Sequence, residues 1–482
     1  MRLELRLKPD EGPRVMRQLG LPLAKGMRAR SRPLRIVWHD GGERPLGRAG
    51  LALAEERNAG WWVDRLDRVD PILAQRAVAA AAAREDLDVA MPDPLVPIAA
   101  FIGREVTHSL LVDGTLVTVT LRRGVARAVT EEHAIARIVL EGPDEAVFGA
   151  AIAIAQHAHA GIPTHNLAHE ALIGSGAAVE VAAEAQGALT DIAATPEDAF
   201  RRLLGHQLGV LLRYAPLVPS GDTMIEAVHQ MRVAVRRARA AVSAFRPAIG
   251  CEHLERGAER LRALSGCLGS TRDWDVFVTE TLPMVMDALP ASPSLRGLLR
   301  LAETQRRTAR AALRTYLESA EFRVLTTDLG WLVASHSWPP TPFAGGNDMA
   351  TFSASVLERR HHRLMRGGRR IETLDTTALH ALRLKAKRAR YAAEMFAGLY
   401  PHRGASRYIR RLSRLQQSLG ILNDDVVASG LIQGLGATQG RHAHAGGLVM
   451  GYLAGRLATS RREMVEAWEK VRRADRFWAR PR

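Results

Sequence analysis

The sequence predicts an α+β domain, an antiparallel sheet or barrel, followed by an all-α domain of two helical bundles. Three observations carry that prediction. Apolar and polar residues alternate at period 2 in short segments before residue 145, they recur at period 3.6 in long segments after residue 195, and one stretch of the helical part returns 151 positions later. A chain of 482 residues exceeds what one core normally serves, so more than one domain is expected, with 1–190 as the α+β domain and its linker and 191–482 as the helical domain.

Taken in order, "RLELRLK" (2–8), "LRIVWHD" (34–40), "GWWVDRL" (60–66), "HSLLVDGTLVTVTLRRG" (108–124) and "AIARIVLEG" (134–142) read as strands, with "DGT" at 113–115 as a hairpin turn. The Ala-rich stretch 71–90 reads as a helix between strands. Residues 145–195 are Ala/Gly/His-rich with weak periodicity and read as a linker. After "ATPEDAF" (194–200) strand signals vanish. Helical stretches then alternate with Pro/Gly breaks at "RYAPLVPSGD" (213–222), "SWPPTPFAGGND" (337–348) and "AGLYPHRGAS" (397–406).

Charge is divided unevenly. Residues 1–195 hold 22 Lys+Arg against 25 Asp+Glu, and residues 196–482 hold 45 against 26, so the whole excess of +16 belongs to the helical part. Such a field favours a polyanionic partner: nucleic acid, an acidic surface or a polymeric phosphate. No apolar run reaches the roughly 18 residues of a membrane span, and "MRLELRLKPD" lacks the build of a signal peptide, so no membrane partner and a cytoplasmic location are expected. The two cysteines, Cys251 and Cys267, form no CxxC pair and indicate neither a disulfide framework nor a zinc site.

The repeat aligns His229 with His380, Arg232 with Arg383, Arg236 with Lys387, Arg237 with Arg388, Arg239 with Arg390 and Phe245 with Phe396. The same offset pairs Arg256 with Arg407, Arg260 with Arg411, Leu268-Gly269 with Leu419-Gly420, and Asp273 with Asp424. At about 100° per residue, Val228, Met231, Val235, Ala238, Val242 and Phe245 form one apolar stripe of a bundle helix. His229, Arg232, Arg236 and Arg239 form a second stripe beside it, and Arg237 falls outside as a solvated flank. His380, Arg383, Lys387 and Arg390 repeat that second stripe. Like charges one turn apart repel by a few tenths of a kcal/mol per pair, so two uncompensated rows point to an arriving anion. Asp273 and Asp424, each after a Leu-Gly break, read as counter-ions or N-caps of helices they begin.

These segments resemble a known family. "HQMRVAVRRARAAVSAFRP" (229–247) with "LGSTRDWDV" (268–276), then "HALRLKAKRARYAAEMF" (380–396) with "LQQSLGILNDDVV" (415–427), are similar to the paired signatures of the CHAD family, the conserved-histidine α-helical domain, across 196–482. The resemblance implies two pseudo-symmetric bundles whose basic side chains line a groove or pore that binds inorganic polyphosphate, at polyphosphate granules. The residues it implicates are His229, Arg232, Arg236, Arg239, Arg256 and Arg260, their counterparts His380, Arg383, Lys387, Arg390, Arg407 and Arg411, and Arg360 and Arg363 beside His361 and His362.

The N-terminal strands are similar to a CYTH domain, the triphosphate-tunnel fold. "LELRLK" stands where such proteins carry an ExExK strand: Glu4 and Lys8 fit, and Arg6 replaces the second glutamate. Ala54, Glu56 and Asp67 occupy places expected for cations, and Glu141 alone remains of an expected acidic series. A tunnel needs carboxylates for a divalent metal and cations for the phosphates, so the reading is a CYTH-like scaffold with no catalytic residues, metal or cofactor. Set beside non-enzymatic polyphosphate binding are two alternatives: a metal-dependent triphosphatase or cyclase-like activity of the sheet domain, and nucleic-acid or other polyanion binding on the same basic surface. His157, His159, His165, His169 and Glu170 offer a weak zinc pattern set in loose composition, and "RRADRFWARPR" (472–482) reads as a solvated basic tail. Nothing in the sequence sets the oligomeric state.

Overall fold

The computed structural model describes residues 1–11, 15, 28–66, 78–79, 91–175, 195–218, 224–290, 292–335 and 349–479, without the side chains of 78–79, 402, 421–425 and 456–460. The strands are β1 (Arg2–Leu7), β2 (Arg30–Asp40), β3 (Leu51–Glu56), β4 (Gly60–Arg65), β5 (Val78–Ala79), β6 (Val96–Val112), β7 (Thr115–Ala128), β8 (Glu132–Glu141) and β9 (Ala160–Gly161). They form one antiparallel sheet in the order β5-β4-β3-β2-β6-β7-β8-β1-β9. The hairpin between β6 and β7 turns on Asp113 (φ 46°) and Gly114 (φ 78°), the left-handed pair that a two-residue turn of matching twist needs.

The helices are α1 (Pro45–Arg48), α2 (Asp144–His157), α3 (Leu167–Ala171), α4 (Pro196–Tyr214), α5 (Met224–Phe245), α6 (Glu252–Val276), α7 (Leu282–Ala288), α8 (Pro293–Glu318), α9 (Ala320–Ala334), α10 (Met349–Gly367), α11 (Thr376–Phe396), α12 (His402–Gly434) and α13 (Ala443–Arg472). Side-chain caps start several of them: Thr195 accepts from the Asp198 N–H, Ser319 from Phe322 and Asp375 from Ala378. The six apolar residues predicted for the seam of α5 are all buried.

Of the stretch 145–195 read as a linker, residues 145–175 hold two helices and a short strand, and 176–194 lie outside the described residues. α2 covers one face of the sheet, where Leu3, Leu5 and Leu7 of β1 join Val117, Val119 and Leu140, and it also packs on α9. Because α2 is buried on both sides, its sequence shows no single apolar stripe. One hydrophobic core therefore runs from β1 through α2 into α4, α5 and α9. α3 packs on the opposite face, where its Leu167, Ala168 and Ala171 join Trp38, Ala54, Phe101 and Ala126.

Other expectations are corrected. Val78 and Ala79, inside the stretch read as a helix, pair with β4, and the rest of 71–90 apart from them lies outside the described residues. The Leu-Gly pairs break nothing: α6 runs through Gly269 and α12 through Gly420, since a single glycine costs a helix only about 1 kcal/mol. Asp273 thus lies near the end of α6 and caps no start, while its buried neighbour Asp275 accepts from Arg306 at 2.7 Å and from Arg310 at 2.7 and 3.0 Å. Within the tail, Phe477 and Trp478 are buried against Tyr400 and Tyr408, and Trp478 Nε1 donates to Glu358 at 2.8 Å. Their apolar area outweighs the solvation of the flanking charges.

A cationic groove as the candidate functional site

α5 and α11, the two helices related by the repeat, pack against each other and end on Phe245 and Phe396, whose rings lie 5.9 Å apart with Phe352 of α10 beside them. With their apolar stripes turned into the core, the basic stripes border a groove of about 410 Å³. Arg232, Arg236, Arg239 and Arg246 line it from α5, Arg262 from α6, Arg360 from α10, and Lys387 and Arg388 from α11. No lining residue is acidic.

The cations are crowded. Burial, then Arg383, Arg236, Arg232 and Arg390, push the Lys387 ammonium down to about 8. Burial, then Arg388, Arg363 and Arg359, bring Arg360 down to about 10, and burial with Arg262 and Arg388 lowers Arg239. Burial also lowers Arg236, whose guanidinium stacks 5.1 Å from the Tyr391 ring centroid, with Arg390 at 5.0 Å. Arg239 donates to Ser265 Oγ at 2.9 Å and Arg360 to Ser243 Oγ at 2.6 Å, both neutral acceptors, whereas Arg246 at the groove's edge is paired with Glu255 at 2.7 Å. Gly269 lies beside Arg232, and a side chain there would stand 3.7 Å from its Nη1.

Of the residues singled out from the sequence, the structure brings Arg232, Arg236, Arg239, Arg360 and Lys387 into this groove. His229 and His380 are exposed and do not line it; His380 and Arg383 border a neighbouring apolar cleft with Leu419 and Val426. Arg390 turns to Glu394 (2.9 Å), and Arg237 is half-buried near the same carboxylate (3.7 Å) instead of being solvated. Arg256 is held by Glu252 at 2.5 Å, Arg260 by the buried Asp328, and Arg407 lies 3.9 Å from Asp475. Arg411 donates to the Arg473 carbonyl at 3.0 Å, and Arg363 is exposed, acting on Arg360 only through its charge. The Asp424 side chain and Asp67 lie outside the description.

Arg246, Arg262 and Arg388 were missed. Arg246 and Arg262 face Ala397 and Ser413 at the repeat offset, so the repeat held no signal for them. Arg388 repeats as Arg237 but takes the groove position that the helical angle assigned to Arg390.

In the sheet domain, Arg137 is fully buried, donating to Glu4 at 2.7 Å, to the His165 carbonyl at 2.9 Å and to Glu170 of α3. Arg6 also pairs with Glu170 at 2.7 Å. Arg32 joins Glu56 (2.5 Å) to Glu105 (3.0 Å), which also holds Arg122 at 2.9 Å. His165 and His169 stack at 3.9 Å, and burial, then His169 and Arg213, bring His165 down to about 4. Among the described residues no three His, Cys, Asp or Glu side chains are grouped to hold a metal, and no helix is long and apolar enough to cross a membrane.

Fold and groove define a class: an antiparallel sheet domain that fits a CYTH-like fold, joined to a helical domain whose centre gathers cations from two like helices. The CHAD domain model matches residues 202–433. The structure is similar to the crystal structure of the CHAD domain from the plant Ricinus communis, with a TM-score of 0.53 and 30% identity, covering 63% of this chain and 99% of that one. The chain belongs to the CHAD domain family. Uncharacterized proteins of two strains of Mycobacterium tuberculosis are each 27% identical over 265 residues, 53% of this chain and 49% of theirs, so the chain spans about half the length of these curated relatives.

Proposed function

We propose that the groove between α5 and α11 binds inorganic polyphosphate and that the protein does not hydrolyse it. The observation that carries this reading is the row of cations with no acidic residue among the groove's lining. Successive phosphates of a linear polymer would replace like-charge contacts by charge-assisted hydrogen bonds, and the counterions released would supply much of the affinity. A polymer longer than the groove would also bring the protein to polyphosphate granules. Absence of hydrolysis is supported by α3 packing on the face of the sheet that carries Glu4 and by Arg137 occupying Glu4, the carboxylate that fits the tunnel strand.

The test is retention of the protein by long-chain polyphosphate across a salt series. The variant R232A/R236A/K387A/R388A is expected to lose retention at salt concentrations where the parent is held, with a shallower salt dependence. Unchanged retention would refute the assignment. Competition with duplex DNA separates the nucleic-acid alternative, and phosphate release from triphosphate with Mg²⁺ or Mn²⁺, abolished by E4A, would revive the enzymatic one.

A further inference from the structure

A second cleft lies where the two domains meet, away from the cationic groove. It has a volume of about 390 Å³ and is bordered by the end of β1, the turn around β9, the ends of α4 and α8 and the first turns of α9. Its charge is easily followed. Arg6 is committed to Glu170, and His159 to Glu11, which also accepts from the His159 N–H at 2.8 Å. Lys8 and Arg314 are exposed and have no ion pair among the described residues. Arg323 is held by carbonyls from both domains, donating to Ala155 O at 3.0 Å and Glu318 O at 2.7 Å, so its position is set while its charge stays uncancelled by a bonded carboxylate. Burial lowers it, with Glu11 and Glu321 opposing. Against these three cations the lining offers one carboxylate, Glu318, leaving an excess close to the charge of about −1.5 to −2 on a phosphomonoester. Ile162, Leu212, Leu317 and Phe322 supply an apolar floor. The volume lies within the range of about 300–1,000 Å³ typical of small-ligand sites.

We infer that this interdomain cleft is a binding site for a small organic phosphate, its phosphate held by Lys8, Arg314 and Arg323 and its apolar body laid on Ile162, Leu317 and Phe322. Because its cations come from both domains, occupancy would also brace their junction. The site goes beyond the polymer groove and shares no residue with it.

Phenyl phosphate and inorganic phosphate serve as probes, titrated calorimetrically into the full chain. Phenyl phosphate is expected to bind, more tightly than inorganic phosphate, and K8Q/R314Q is expected to weaken it by about tenfold or more, as loss of charged hydrogen bonds implies. Both substitutions are on exposed side chains, and an unchanged circular dichroism spectrum checks the fold. The groove variant R236A/K387A is expected to bind phenyl phosphate like the parent while losing long-chain polyphosphate, which separates failure of one site from failure of the other. The inference is overturned if the parent binds no phenyl phosphate, if K8Q/R314Q binds it like the parent, or if R236A/K387A abolishes its binding.

Discussion

Lys387 offers the sharpest test of the groove, because its substitution should make the empty protein more stable and the loaded one less so. The ammonium is pushed from 10.5 down to about 8 by burial and by Arg383, Arg236, Arg232 and Arg390. That displacement corresponds to about 3 kcal/mol at ~1.4 kcal/mol per pH unit. Since the side chain is only partly buried, solvent screening reduces the expected effect to about 1–2 kcal/mol. K387M keeps the stem and removes the charge, so at pH 7 it should melt roughly 2–8 °C above the parent in the absence of polyanion. Between pH 8 and 10.5 the unfolded parent holds a proton that the folded one has released, so parental stability rises through that window. The gap to K387M should therefore close by pH 10.5. Added long-chain polyphosphate should raise the melting temperature of the parent more than that of K387M. Differential scanning calorimetry at pH 7 and 10.5, with and without polymer, reads all of this. A K387M protein that melts at or below the parent at pH 7, or a gap that persists at pH 10.5, refutes the crowding argument.

Three further outcomes are expected. R137M should destabilise the sheet domain by about 3–5 kcal/mol in urea titration at pH 7, by removing the buried guanidinium that Glu4 and Glu170 share, with Arg6 remaining on Glu170. Burial alone would raise Glu170, yet Arg137 and Arg6 hold it below its ordinary value, so the difference should shrink as pH falls through the carboxylate range. W478A should cost about 3 kcal/mol by opening a cavity beside Tyr408 and removing the indole donor to Glu358, which keeps Arg476, measured as a loss of melting temperature. G368A should cost about 1–3 kcal/mol in the same measurement, because a Cβ there would stand 2.3 Å from the Trp468 ring.

Period and spacing made much of this molecule legible. The apolar stripe of α5 is buried residue by residue, the hairpin turns at Asp113-Gly114, and the helices paired by the offset of 151 pack together. α2 escaped notice because a helix covered on both sides has no stripe to read. The histidines were conspicuous in the repeat but face solvent, while Arg262 has no counterpart and still lines the groove. Helical angle alone could not choose between Arg388 and Arg390, because Glu394, one turn beyond Arg390, draws that side chain aside, whereas Ser243 at the matching position in α5 carries no charge.

By itself the sequence determined that strands precede helices, that the positive charge collects in the helical part, and that α5 and α11 each carry an apolar row beside a basic one. These are properties of short segments, where backbone period and side-chain type suffice. The tertiary structure alone decided which cations share a groove and which are spent on Glu252, Asp328 or Glu394. It also decided that α3 packs on one face of the sheet and that both domains share a core. Each of these depends on how distant segments are rotated against one another, and electrostatic and packing energies change over a few ångströms that no spacing along the chain records.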